Sequence, residues 1–242
     1  MIRLVTVLFG LRVLVTLKSD VLVDEESDGD GRQGYPWKIK GEEAPIPWNG
    51  TDAPDFSIGT GTENDPYMIE TAEDLAYLAS SVNGGTTYEG EYFALANDID
   101  LGGVQDEDGY WSGPLWTPIG YGGLFAGNFN GNGYSISNIN SNNSWGSYIG
   151  LFGHICGASV KNVVIGSGAV SGEAGCGGVA GVACNSELRN CVNYADISAQ
   201  GYVGGIVGAY YNTEIIDCEN YGRINAAAYF GEIYGGILES QL

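Results

Sequence analysis

Gly150-Leu-Phe-Gly153, Gly178-Val-Ala-Gly181, Gly205-Ile-Val-Gly208 and Glu232-Ile-Tyr-Gly235 are four versions of one tetrapeptide. Their last glycines follow one another at 28, 27 and 27 residues. What lies between keeps step. Val160-Lys-Asn162-Val163 returns as Leu188-Arg-Asn190-Cys191 and as Ile215-Ile-Asp217-Cys218, and Val170 returns as Ile197 and Ile224. A weaker partial copy, Ile136-Ser-Asn138-Ile139, stands upstream. Each unit holds three short apolar patches set apart by Gly or Asn. At about 3.3 Å per strand residue, no patch is long enough to make a sheet alone. Stacking unit on unit pairs each patch with its copy and buries a continuous core. The repeat therefore predicts an all-β fold, a parallel β-solenoid with right-handed winding favoured and coils of about 27 residues. A helix–turn–helix array fails because glycine recurs every few residues in the apolar patches.

Three inward ladders are expected: Leu151, Val179, Ile206 and Ile233; Val160, Leu188 and Ile215; Val170, Ile197 and Ile224. Gly153, Gly181, Gly208 and Gly235 are expected where the coil bends, needing positive φ or close packing. Asn138, Asn162 and Asn190, with Asp217 last, are expected at a second corner, their amides bonded from coil to coil.

Upstream the pattern changes. Thr71–Val82 (TAEDLAYLASSV) places Thr71 and Asp74 at capping-box spacing before an apolar stripe, and Asn83-Gly84-Gly85 stops it, which predicts a short helix over 71–82. Tyr92–Leu101 alternates like a half-buried strand. The chain divides into 1–45, a tail or linker; 46–146, an N-terminal capping region with the helix and first irregular coils; and 147–242, the repeats. Within residues 1–23 the apolar run is broken by Arg12 and ended by Lys18, too short for a membrane span. It reads either as an export signal, with a basic start at Arg3 but no small-x-small cleavage site, or as a tail. Asp24–Gly34 reads as a solvated linker, because a calcium-loop alignment puts Tyr35 where the bidentate Glu should be.

The 242 residues carry 9 Lys+Arg against 30 Asp+Glu, a net charge of −21, which sets the chain against a nucleic-acid partner. Forty glycines spread among Tyr, Ile and Val exclude a helical bundle, and 44% apolar residues exclude an acidic disordered tail. One histidine, His154, removes sites that need two imidazoles; its context, His154-Ile-Cys-Gly, lacks the HExxH of a metalloprotease and places it at an exposed corner. Cys156 stacks on Cys184 and Cys191 on Cys218; that separation suits a disulfide, but a thiol ladder in the core is the favoured reading. Cys176 falls in the column of Tyr148, Val203 and Phe230 and reads as packing. Asn97-Asp98-Ile99-Asp100 and Gln105–Asp108 offer oxygen ligands for calcium, with surface solvation preferred. Neither cofactor nor metal is expected.

A β-solenoid enzyme would need clustered carboxylates or a basic group on one face. Glu187 and Glu214 are stacked equivalents, as are Lys161 and Arg189, and both sets read as solvated faces; no catalytic residue is assigned. Aromatics are the better lead. Tyr194 and Tyr221 are equivalent, as are Tyr202 and Tyr229, and tyrosine rows offer flat apolar faces with a polar tip to sugars or proteins. These four are the candidate ligand-binding residues.

The repeat resembles the GLUG repeat of bacterial surface and secreted proteins, whose signature is matched by Gly150-Leu151-Phe152-Gly153. Upstream words fit the segment that precedes such repeats: Gly59–Ile69 (GTGTENDPYMI), Thr71–Leu75, Asn97–Leu101, Trp116-Thr-Pro-Ile-Gly120 and Phe125–Gly133. The resemblance covers about residues 56–236. Glu232 departs from it, and the last coil is cut before it closes, which reads as a truncated array or a part of a larger protein. The resemblance implies an extracellular or cell-surface β-helical module and supplies no catalytic residues. The expected function is non-enzymatic adhesion or display at a bacterial surface, with a glycan or a host or cell-surface protein as partner and no membrane span. The alternatives are a structural spacer within a larger adhesin or protease, and a carbohydrate-active β-helix enzyme.

Overall fold

The computed structural model describes residues 44–143 and 146–239, and the strands Leu4–Phe9 and Val13–Lys18, which pair antiparallel. The chain divides into two units, Met1–Ala44 and Pro45–Leu242. The linker expected over Asp24–Gly34 lies outside the described residues.

The second unit is a β-solenoid whose coils stack as parallel strands on four faces. The first face holds Tyr67–Ile69, Tyr92–Leu95, Asn128–Asn130, Ser159–Lys161, Glu187–Arg189 and Glu214–Ile216. The second holds Ile99–Asp100, Ser135–Ser137, Val164–Ile165, Val192–Asn193 and Glu219–Asn220. On the third, two short strands of each early coil, such as Gly168–Ser171 and Ala174–Gly177, fuse into the long strands Asp196–Gly204 and Ile224–Gly231. The fourth holds Phe152–Cys156, Ala180–Cys184, Val207–Tyr211 and Tyr234–Ile237. The first two faces run across residue 146 without a break, so the coils already begin within the region read as the cap.

All three apolar ladders form. Val160 pairs with Leu188 and Leu188 with Ile215; Val170 pairs with Ile197 and Ile197 with Ile224. Leu151, Val179 and Ile206 are fully buried, while Ile233, Ile215 and Ile224 in the last coil are only partly covered. Helix α1, Ala72–Asn83, starts one residue later than expected because Thr71 is its N-cap. Thr71 Oγ1 accepts from Asp74 N, and the Asp74 carboxylate accepts from Thr71 N, the reciprocal pair the sequence called for. Its apolar side, Leu75, Leu78 and Val82, joins the solenoid core.

Four expectations are corrected. Gly153, Gly181, Gly208 and Gly235 do not bend the coil; they sit inside or beside fourth-face strands without positive φ. A Cβ at Gly181 would come 2.2 Å from the Tyr148 backbone, and one at Gly235 2.3 Å from Val203 N, so these glycines let adjoining faces pack backbone to backbone. Asn138 does not share the corner of Asn162 and Asn190. Val160 pairs with Phe129 and Ile165 with Ile136, so Asn138 lies opposite Ser167, and it is Asn130 that accepts the Asn162 amide. Cys176 stands over Ile149, with Tyr148 one position away. Tyr92–Leu101 is not one strand: Tyr92–Leu95 and Ile99–Asp100 lie on different faces, with a corner between them.

Candidate functional site

The two tyrosine pairs stack as the repeat predicts. Tyr194 and Tyr221 lie with ring centroids 5.0 Å apart and planes at 12°; Tyr202 and Tyr229 are 5.0 Å apart at 10°. At that spacing nothing fits between the rings, so each pair closes its inner faces. What it presents is a hydroxyl-bearing edge and the outer face of the terminal ring, Tyr221 at 60% exposure and Tyr229 at 66%. The flat faces expected along the whole row are thus confined to its end.

Local structure holds each pair in its own way. Tyr194 sits in Asn193-Tyr194-Ala195 and Tyr221 in Asn220-Tyr221-Gly222. In both, the Asn amide reaches two residues on: Asn193 Nδ2 donates to Ala195 O (2.9 Å) and its Oδ1 accepts from Ala195 N, and Asn220 does the same with Gly222. Asn193 is fully buried and also donates to Asn220 Oδ1 at 2.8 Å. This bonded amide pair braces the turn that carries each tyrosine outward. Sequence reasoning missed it, although Asn193 and Asn220 are 27 residues apart. Tyr221 Oη donates to Glu219 Oε2 at 2.6 Å. Tyr202 and Tyr229 stand in a column with Tyr148 and Gly175, all four at positive φ (54°, 51°, 63° and 66°). The Tyr202 ring occupies the place a side chain at Gly236 would take.

The cysteines divide. Cys156 and Cys184, paired in register with Cα atoms 4.6 Å apart, form a disulfide, which corrects the thiol ladder for this pair: outward-facing neighbours on adjacent coils are within bonding reach. Cys191 and Cys218 keep their thiols, as does Cys176. Burial pushes the Cys176 thiol up to about 12. A hydrogen bond shared between Cys191 and Cys218 raises the former and lowers the latter. His154 is not at an exposed corner. It lies half-buried in strand Phe152–Cys156 with Nε2 3.7 Å from Cys184 Sγ, and burial holds its imidazole below the ordinary value.

Glu187 and Glu214 are neighbours in register on the first face. They line an open groove of about 650 Å³ at the corner where the fourth face turns into the first, with Asn185, Asn212, Ser159 and Tyr210. Asn212 Nδ2 donates to Asn185 Oδ1 at 2.8 Å, a second amide step that the period contains. Glu187 is engaged by Arg189 at 2.7 Å, so the stacked acids are not two equivalent carboxylates. The calcium candidates are already committed within the coils: Asp98 accepts from Ser135, Asp100 from Gly102 and Asn138, and Asp106 from Asp108 and Tyr110.

Fold and surface together define a repeat β-solenoid with an acidic exterior and short tyrosine stacks. Comparison with known proteins finds like sequence in two long proteins. One is a protein of Evansella cellulosilytica named only as a Gly-rich membrane protein, 42% identical over 105 residues, 43% of this chain and 11% of that protein. The other is halomucin of Haloquadratum walsbyi, 35% identical over 125 residues, 51% of this chain and 1% of that protein. The chain thus spans a small part of the length of either relative. No family model matches it, and no solved structure does. Among the described residues no helix is long and apolar enough to cross a membrane.

Proposed function

We propose that this chain is a non-enzymatic β-solenoid module of a surface protein, built on a GLUG-type repeat, which binds a glycan or a cell-surface protein through its tyrosine stacks. The observation that carries the reading is the Tyr148–Gly175–Tyr202–Tyr229 column. Glycine fills one of its four left-handed positions without strain, yet the other three hold tyrosine, at a cost of about 1–2 kcal/mol each. A ring kept where glycine would sit more comfortably supports a role at the surface. A pyranose laid on the outer face of Tyr229 or Tyr221 would extend the stack by one step, its hydroxyls within reach of Glu219 or the neighbouring amides. The names of the two relatives support a surface location outside the cytoplasm.

A spacer within a longer surface protein is the second reading, favoured by the small share of each relative that the chain spans. The two readings part when the full chain is tested on an array of glycans and matrix proteins while soluble polysaccharides are assayed for new reducing ends. Saturable binding without release of ends supports the module. Release of ends that is lost in Glu214→Gln would replace it with an enzyme, and an array with no saturable signal would leave the spacer.

A further inference from the structure

Because the coils repeat, each column is an internal alignment, and departures from it stand out. In the outward columns of the fourth face, His154 is followed by Val182 and Ala209, and Cys156 and Cys184 are followed by Tyr211. Three residues that break or end their columns come together at one place. His154 and Cys156 are two apart on strand Phe152–Cys156 and so point the same way. Cys184 is registered directly on Cys156 from the next coil, and its sulfur lies 3.7 Å from His154 Nε2. The imidazole nitrogen and both sulfurs lie within 4.8 Å of one another. His154 and Cys156 are half-buried and Cys184 is buried, so the cluster is sheltered but reachable from one side.

We propose that Cys156, Cys184 and His154 form a two-state site, a disulfide when oxidised and a three-ligand Zn²⁺ centre when reduced. A dithiol or phosphine reductant supplies two electrons, which with two protons turn the disulfide into two thiols. Zn²⁺ then binds both sulfurs as thiolates with the imidazole nitrogen, and the two thiol protons leave to solvent. Zn–S bonds of about 2.3 Å and a Zn–N bond of about 2.0 Å need the donors within roughly 4 Å of each other, which side-chain rotation supplies here. Two sulfurs and one imidazole suit zinc, and the half-exposed side leaves a fourth position for water. In either state the site clips the same two coils together. Cys191 and Cys218, stacked in the same manner one face away, serve as the internal control.

The test is titration of the full chain with Co²⁺ under anaerobic conditions, with and without prior phosphine reduction. Co²⁺ reports thiolate ligation by its near-ultraviolet charge-transfer band and tetrahedral geometry by its visible bands. The reduced chain is expected to bind one Co²⁺, displaceable by Zn²⁺, and the oxidised chain none. Cys184→Ser should abolish the charge-transfer band, His154→Ala should weaken binding about tenfold, and Cys191→Ser/Cys218→Ser should change neither. If Cys184→Ser fails to fold, Cys156→Ser asks the same question. The proposal is overturned if the reduced chain binds no Co²⁺, or loses its β-sheet circular dichroism. It also falls if binding survives His154→Ala unchanged, or disappears in the Cys191/Cys218 variant instead.

Discussion

Gly181 and Gly157 separate two reasons for using glycine. At Gly181 the φ is ordinary, but a Cβ would meet backbone at 2.2 Å; at Gly157 φ is +72° and a Cβ would meet nothing within 4 Å. Gly181→Ala forces adjoining faces apart and should cost at least about 2 kcal/mol. Gly157→Ala carries only left-handed strain and should cost about 1 kcal/mol. Urea unfolding of the two variants beside the parent chain checks the order, and equal costs would refute the face-to-face packing role. Asp196 gives the pH dependence. Its hydrogen bonds from Arg223, the shortest 2.6 Å, hold its carboxyl below the usual carboxylate range. A lowered folded-state value means a contribution present above the unfolded value near pH 4 (about 3.9) and lost as pH falls through the folded one. The urea midpoint followed from about pH 5 down to pH 2 should therefore fall less steeply in Asp196→Asn than in the parent.

Between residue and fold, the amide pair Asn193–Asn220 links the core to the candidate site. Asn193→Ala removes the bonds to Ala195 and Asn220 from a fully buried position. The expected loss is about 2–3 kcal/mol, with Tyr194 released from its braced turn; denaturation and tyrosine fluorescence anisotropy report the two effects. The same region shows where the sequence could be read and where it could not. From residue 147 on, the coils have one length, so like residues mark true neighbours, and the ladders and both tyrosine pairs follow from the period. Earlier coils differ in length: Phe93 pairs with Phe129 and Phe129 with Val160, steps of 36 and 31 residues. Extra residues enter at corners while the faces keep register, so matching words across them misplaced Asn138. The Cys156–Cys184 bond was undecided for another reason, because stacking brings both thiol pairs into reach and only side-chain direction separates the bonded pair from the unbonded one. The orientation of the tyrosine faces was likewise hidden, since spacing tells which rings are neighbours and not how they tilt.

For the whole molecule, stability is a sum of coils and of the interfaces between them. Helix α1 and fully buried columns hold the first coils, whereas Glu214–Ile216, Glu219–Asn220, Ile224–Gly231 and Tyr234–Ile237 are each the last strand of their face. Their large apolar side chains stay open: Phe230 is 66% exposed and Ile237 64%. Amide hydrogen exchange should be fastest in residues 214–237 and slow progressively toward the coils of Val160 and Leu188. Uniform protection would mean that the coils unfold as one body. The exposed rings of Tyr221 and Tyr229 belong to this last coil, so the candidate site and the least protected coil coincide. The measurement that bears most directly on the proposed function is titration of the full chain, beside Tyr194→Ala/Tyr221→Ala and Tyr202→Ala/Tyr229→Ala, against whichever glycan or matrix protein it captures on an array. The proposed function predicts saturable binding, no turnover, and at least about tenfold weaker affinity, 1.4 kcal/mol, in one of the double variants with its β-sheet spectrum intact. Undiminished affinity in both folded variants would contradict it.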